Sequence, residues 1–489
     1  NTSHDAIRGI LRTGVPETSS HIWYTRSPAY HYAVALWLKL VGDSTYNGRL
    51  FSVIWATATL VLIFFFARKI TRKTGIALII TAFIAVDPWN VMFSKSLRFY
   101  PSLQFLSLLS FWLFYQGFLE RSGKWYQNCF FIVLTWTMLT QEVTVTLLPG
   151  FFIGFLLFYR PILWSKDWNI VVGAALSLGI VIYDIVFFAI KCLTPWVALS
   201  YTTDSVIKPH FQNITYFFTS FFFGMTRAHT IYSFFFFLGF AYFIYKRNYK
   251  IVFLFLGVLI NIFFLTLLSR QVATRYFYPI GPFLIMLSIY SGWSIVEAMG
   301  KKFENIIEGT ISLRKVGIIF FILLLICNIE PDRMMAGFED SIARRNTELF
   351  EYIRDHRQPG DLVIASMPAE AAITLGGLDY YIPSKFLPFD GLYLHEGNLI
   401  DRWGGGIIIN NSDQIEDVLN KAQRLWIHLD SYTPTPELSQ SLNSSHPRRY
   451  LQTLGKPIFE TFGTRLRLWT KEDGLPPQNP NTGKDIGNY

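Results

Sequence analysis

Residues 49–74 read RLFSVIWATATLVLIFFFARKITRKT, an apolar run over 49–67 closed by Arg68, Lys69, Arg72 and Lys73. A helix rises about 1.5 Å per residue, so such a run approaches the roughly 30 Å hydrocarbon core of a bilayer. The pattern recurs. Ten spans are expected, at 49–67, 75–93, 101–119, 127–140, 143–160, 169–191, 229–246, 251–269, 276–298 and 316–331. The fourth is short and enters the fifth through Thr140-Gln141-Glu142. The four phenylalanines at 234–237 make that stretch apolar all round, as suits a lipid-facing helix better than the core of a soluble domain.

Composition agrees. Of 489 residues only 16% are charged, well below the roughly 25% of soluble chains. With 51% hydrophobic residues and 3 cysteines the chain is neither disordered nor a disulfide scaffold. Cys129, Cys192 and Cys327 lie in or beside apolar runs and read as buried thiols. The net charge of +9 first suggests nucleic acid. Its placement removes that reading. The short loops 68–74, 120–126, 161–168, 247–250 and 299–315 are the basic ones, which puts them in the cytoplasm by the positive-inside bias. The alternate set then faces outward: 1–48, 94–100, 141–142, 192–228, 270–275 and everything after 331. An even number of spans leaves both ends outside, so a helix preceding Asn1 is expected.

After residue 331 the composition becomes that of a soluble α/β domain. Asp361–Ser366 and Leu425–Leu429 read as strands, Asp413–Gln423 as a helix opening after Ser412, and 457–469 as a terminal hairpin. The expected domains are therefore a first outer loop (1–48), a transmembrane domain (49–331), an outer α/β domain (332–473) and a disordered tail (474–489).

The outward segments hold the unusual chemistry. The first contains His4-Asp5, then TGVP at 13–16 and YTRSPAYHY at 24–32, with GRLFS at 48–52 entering the first span. The second carries SKSLRFY at 94–100. The third is Gln141-Glu142, and a later one includes Ser269-Arg270 and TRYFYP at 274–279. In this order and on one expected side, the motifs resemble the GT-C superfamily. The likeness is greatest to membrane glycosyltransferases of the protein O-mannosyltransferase and aminoarabinose-transferase type, and it covers roughly residues 1–300.

The resemblance implies a multi-pass enzyme of a bacterial-type plasma membrane. Its site and C-terminal domain would face the periplasm or cell exterior. It would move a sugar from a dolichyl- or undecaprenyl-phosphate-type donor to a lipid, glycan or protein acceptor. Such a transfer with inversion needs a base for the acceptor proton and groups that receive a departing phosphate. Asp5, or a neighbour preceding Asn1, is the expected base; the alternative is that Ser3 or Asp5 caps a short helix. Arginine binds phosphate bidentately with permanent charge, so Arg26, Arg98 and Arg275 are the expected phosphate ligands. His4, Tyr24, Tyr100, Glu142, Arg270 and Tyr276 are further pocket candidates. The bland alternative for each arginine is a side chain snorkelling at a helix end. Outward cations oppose the positive-inside bias, and an anionic headgroup supplies the reason for them. Asp184, about two turns before Lys191, reads as a structural pair, and Asp87-Pro88-Trp89 as a helix end. No zinc spacing, Walker loop or dinucleotide fingerprint occurs. No metal site or other cofactor is implied, and a divalent cation between Asp5 and Glu142 has no support in the residues. A transporter or flippase for an anionic solute is the competing class, but the two halves show no inverted repeat and no helices broken at the midplane.

Overall fold

The computed structural model describes residues 7, 9–11, 14, 29–158, 168–196, 211–223, 226–268, 274–304, 313–332, 341–382, 392–395, 398–401, 405–409, 412–430, 451, 454–461 and 464–473. The chain divides into two compact units. One comprises Thr25–Ile190 and Tyr201–Glu339, and the other contains Asp340–Tyr489.

The first unit is helical. Its described α-helices are α1 (Ala29–Val41), α2 (Thr45–Thr71), α3 (Thr74–Ala85), α4 (Pro88–Ser94), α5 (Tyr100–Phe114), α6 (Lys124–Thr140), α7 (Leu148–Phe158), α8 (Trp168–Trp196, whose last six residues fall to the other unit), α9 (Ile214–Phe222), α10 (Arg227–Tyr245), α11 (Tyr249–Leu268), α12 (Gly281–Glu304) and α13 (Leu313–Cys327). Each of the ten expected spans overlaps one or two of these helices, though parts of several lie in 3₁₀ or π turns or outside the described residues. Among the described residues five are long and apolar enough to cross a membrane, or six with the bent pair α3–α4 counted as one. The chain is a multi-pass membrane protein. The amphipathic stretch at 29–41 is α1, while α9 is a helix that the sequence reading left inside an outer loop.

Two interruptions have local causes. Between α3 and α4 the axis bends by 63°. Pro88 opens α4 at its first turn, and the Asp87 carboxylate caps it by accepting from the Asn90 backbone N–H at 3.1 Å. α5 continues as a π-helical run over Tyr115–Leu119 before Glu120 ends it.

Lipid tails are as apolar as leucine, so helices in a bilayer associate through close packing rather than exclusion of water. Here phenylalanine supplies much of it. Phe111 of α5 meets Phe151 of α7 and Phe283 of α12 with ring centroids 4.7 Å apart, and Phe114 stacks on Phe253 of α11 at 5.0 Å. The aromatic richness of the sequence is thus largely the bundle's packing material. Small residues allow the closest approach: a Cβ at Gly239 of α10 would overlap the Ser291 side chain of α12. Gly239→Leu is therefore expected to cost about 1–3 kcal/mol by overpacking. Gly179→Leu, in open space on α8, should leave the melting temperature in detergent unchanged. Of the three cysteines, Cys327 corrects the reading as buried thiols: it is exposed on the outside of α13. An apolar neighbourhood in a membrane helix does not distinguish a core-facing thiol from a lipid-facing one. Cys129 is half-buried.

The second unit is an α/β domain. Its eight strands are β1 (Leu362–Ala365), β2 (Tyr380–Tyr381), β3 (Leu392–His395), β4 (Asn398–Asp401), β5 (Ile407–Ile408), β6 (Arg424–Asp430), β7 (Lys456–Thr461) and β8 (Thr464–Thr470). They form one sheet in the order β3-β4-β5-β2-β1-β6-β8-β7. The centre, β5-β2-β1-β6, is parallel, and the flanks are antiparallel. Side chains alternate along β1 and β6 with period two. Ile364, Leu425 and Ile427 join one core with Ile415 and Leu419 of α16 (Ser412–Lys421). Val363, Ala365 and Trp426 join the other with Phe350 and Ile353 of α14 (Ser341–His356). A sheet covered on both faces explains the near-continuous apolar runs of its central strands. Between β1 and β2 lies α15 (Pro368–Leu375). The strands expected near 361–366 and 425–429, the helix after Ser412 and the terminal hairpin are all present. The segment 474–489 lies outside the described residues.

Candidate active site

Four of the motifs singled out in the sequence converge, in their described residues, at one end of the helical unit. α1 begins just after Pro28 and buries Tyr30, His31, Val34 and Leu38 along one face. The Tyr30 ring meets Phe51 of α2 and Phe99, each at 6.1 Å. The Ser52 hydroxyl donates to the Ser96 carbonyl at 2.6 Å. At Gly48 a Cβ would lie 2.8 Å from the Leu97 side chain, so only glycine lets the turn before α5 sit this close to α2. Residues 29–32 of YTRSPAYHY are therefore neighbours in space of GRLFS and SKSLRFY.

The later TRYFYP motif joins them. Thr274–Phe277 forms a 3₁₀ turn, followed by Tyr278. The Tyr278 ring packs on Phe93 at 4.7 Å and edge-on to Tyr100 at 6.3 Å, while Phe93 and Tyr100 lie 4.8 Å apart. The Gln104 amide of α5 donates to the Tyr278 carbonyl at 2.9 Å. Aromatic pairs of this geometry contribute about 0.5–1.5 kcal/mol each beyond the area they bury.

On this frame Arg98 is half-buried, and its backbone N–H donates to Ser96 at 2.7 Å. Its guanidinium has no hydrogen bond or ion pair to any described residue. Arg275 is exposed and stands over the Tyr276 ring at 5.6 Å. Tyr100 is buried in the aromatic group and Tyr276 is half-buried. Glu142 opens a 3₁₀ run, Glu142–Leu147, at the break between α6 and α7, and Thr146 of that run accepts from Asn261 of α11 at 2.8 Å. The side chains of Glu142 and Asp184 lie outside the described residues, as do His4, Asp5, Tyr24, Arg26 and Arg270 altogether.

Beneath this surface lies a buried polar cluster that the sequence reading did not find. Asp87 accepts from the Asn90 amide at 3.2 Å and lies 3.7 Å from His229 Nε2 of α10. Asn90 in turn accepts from Gln104 at 2.9 Å. Thr226 caps α10 through the His229 N–H at 3.2 Å, and its hydroxyl lies 2.8 Å from His229 Nδ1. The ring thus turns Nδ1 to Thr226 and Nε2 to Asp87. These groups line a cavity of about 20 Å³, beside which the buried Tyr278 hydroxyl has no partner among the described residues. The space suits one water molecule. Asp87-Pro does mark a helix end, as its sequence suggests, but Gln104 and His229 lie 17 and 142 positions from Asp87 in the chain, and no local pattern joins them. The cluster fixes α4, α5, α10 and the 277–281 segment to one another. Gln104→Leu removes both of its donated bonds and should cost about 1–3 kcal/mol by leaving buried acceptors unpaired. A lowered melting temperature, with transfer activity falling alongside it, checks this.

Comparison with known proteins follows the same outline. Residues 25–187 match the model of the dolichyl-phosphate-mannose-protein mannosyltransferase family. No curated protein matches. Among solved structures, ArnT from Cupriavidus metallidurans in the apo state superposes with a TM-score of 0.58 at 12% identity, covering 97% of this chain and 94% of that one. The same protein bound to undecaprenyl phosphate gives 0.56 at 11% identity, covering 95% and 92%. The Archaeoglobus fulgidus oligosaccharyltransferase, in complex with Zn and sulfate, gives 0.51 at 12% identity over 88% of this chain and 63% of that one. The fold is thus that of ArnT over nearly the whole chain, a transmembrane helical bundle with a C-terminal α/β domain, and the mannosyltransferase-like resemblance of the motifs is borne out over residues 25–187.

Proposed function

We propose that the chain is a membrane glycosyltransferase that takes a sugar from a polyprenyl-phosphate-linked donor and gives it to a lipid, glycan or protein acceptor on the outer face of the membrane, with inversion. The observation that carries this reading is Arg98: a half-buried guanidinium with no described partner, held where three motifs of a mannosyltransferase-like sequence meet. The structural neighbour bound to undecaprenyl phosphate supports a donor of that kind.

The chemistry asks little of the protein besides a base and anion ligands. Asp5 removes the proton of the acceptor hydroxyl. The resulting oxygen forms a bond to the anomeric carbon from the face opposite the phosphate. The anomeric C–O bond breaks, and its electron pair leaves on the polyprenyl phosphate. Arg98 and Arg275, with Arg26, receive that charge; guanidinium forks match phosphate oxygens and stay ionised at every physiological pH. A carboxylate base retains its role once the pH is well above the ordinary carboxylate range. Tyr100, Tyr276 and Tyr278 provide the aromatic wall beside which the arginine-bearing segments are set.

The test is sugar transfer by the purified full chain from a synthetic polyprenyl-phosphate sugar, followed by mass spectrometry of the products. Release of free polyprenyl phosphate in step with glycosylated acceptor is expected. Movement of intact lipid-linked sugar across a bilayer, with no release, would instead establish the flippase class.

A further inference from the structure

The opposite end of the bundle contains a second polar cavity, of about 820 Å³. α5 and its π-helical continuation run from Tyr100 to Leu119, so about 30 Å separates the Arg98 end from this one. Arg68 and Lys69 reach the cavity from the last turn of α2, Arg72 from the residue that caps it, and Lys250 from the first turn of α11. Among the described residues the one carboxylate in its wall is Glu120, which accepts from Lys250 at 2.7 Å and lies 3.9 Å from Lys69. Lys250 beside it holds the Glu120 carboxyl below the usual carboxylate range, so it stays ionised and offsets one of the four cations. Arg68 and Arg72 have no ion-pair partner among the described residues.

Two ordinary causes account for part of this. Cations stabilise a helix C-terminus, which suits Arg68 and Lys69, and basic loops set membrane orientation. Neither explains convergence. Lys250 sits at a helix N-terminus, where the dipole disfavours a cation, yet it is turned toward the same space as the α2 cations. Bundle charges placed for orientation alone have no need to share one cavity. Thr71, Tyr115, Asn248 and Tyr290 add neutral polar groups to the wall, and its apolar part is Leu62, Ile70, Trp112 and Ile251, with Phe65 standing 52% exposed on α2. A ligand with a phosphate and an attached hydrocarbon chain fits both parts at once, whereas a soluble anion would leave the apolar flank unused.

We propose that this cavity binds the phosphate headgroup of an anionic membrane phospholipid, with Arg68, Arg72 and Lys250 around the phosphate and the acyl chains along Phe65 and Leu62. The assignment rests on the cavity and not on sugar transfer. The probes are phosphatidylglycerol, phosphatidylcholine and inorganic phosphate, added to the delipidated full chain in detergent and read by native mass spectrometry and melting temperature. Phosphatidylglycerol should bind one per chain and raise the melting temperature, and phosphatidylcholine should bind far more weakly. Arg68→Gln with Arg72→Gln should weaken phosphatidylglycerol roughly 10- to 30-fold, in line with the loss of two cations near an anionic surface. Glu120→Gln tests the opposite sign. By removing the cavity's carboxylate it should strengthen phosphatidylglycerol binding severalfold, a gain that misfolding does not produce. Equal binding of the two lipids, or unchanged affinity in both variants, overturns the proposal. So does saturation by inorganic phosphate alone with the same dependence on Arg68 and Arg72, which would mark a site for a soluble phosphate compound.

Discussion

Asp5→Asn should lower sugar transfer by about 10²–10⁴-fold, the range over which general-base catalysis contributes, without changing the affinity for the lipid-linked donor. Asparagine is nearly the same size and keeps the capping ability of aspartate at a helix N-terminus. The substitution therefore separates the two readings of this residue. A cap is worth roughly 1 kcal/mol and is retained by Asn; a base is lost outright. The measurement is kcat alongside the melting temperature and the Kd for polyprenyl phosphate. A fall in kcat with the other two unchanged assigns the base to Asp5. Wild-type turnover would remove Asp5 from that role, and a fall in melting temperature with only a modest loss of rate would show a cap alone.

What the sequence makes legible depends on how local the signal is. Membrane helices are written in contiguous apolar runs, so even the short pair meeting at Gln141-Glu142 falls where expected. Strands of the α/β domain such as Leu362–Ala365 and Arg424–Asp430 are legible for the same reason: their apolar residues are adjacent in the chain. α9 was not, because nine residues flanked by polar ones look like part of a long loop until a neighbour covers Phe217, Phe221 and Phe222. The bend at Asp87 is announced by Pro88, but its angle is not.

The site divides similarly. Arg98 and Arg275 stand out in the sequence as cations in segments expected to face outward, and the structure brings those segments together through Phe93, Tyr100 and Tyr278. Tyr278 was read only as part of TRYFYP; its own place, between the aromatic group and the Asp87 cluster, follows from pairings with Gln104, 174 positions away. Side-chain networks that join remote helices leave no periodic trace in a single sequence. The basic cavity at the other end illustrates the converse. Each cation was legible as part of a basic stretch at 68–74 or 247–250, though Arg68, Lys69 and Lys250 belong to helix ends rather than to loops, and their shared direction exists only in three dimensions.

Arg98→Ala should reduce kcat/KM for the lipid-linked sugar by about 10- to 150-fold, the equivalent of losing charged hydrogen bonds of about 1.5–3 kcal/mol to the phosphate. Much of the loss should appear in kcat, since the phosphate gains charge as the anomeric bond breaks, and interactions that strengthen in the transition state raise kcat. Arg98 has no described side-chain partner to strand, so its removal should leave the melting temperature nearly unchanged. Arg98→Lys keeps the charge but forfeits the bidentate fork, so it should recover only part of the rate. Free polyprenyl phosphate supplies the independent readout. As the leaving group it should inhibit the wild type, and its Ki should rise in Arg98→Ala and less so in Arg98→Lys. A guanidinium that merely snorkels at the end of a helix would give all three proteins the same Ki, and the phosphate-binding role would then pass to Arg26 and Arg275.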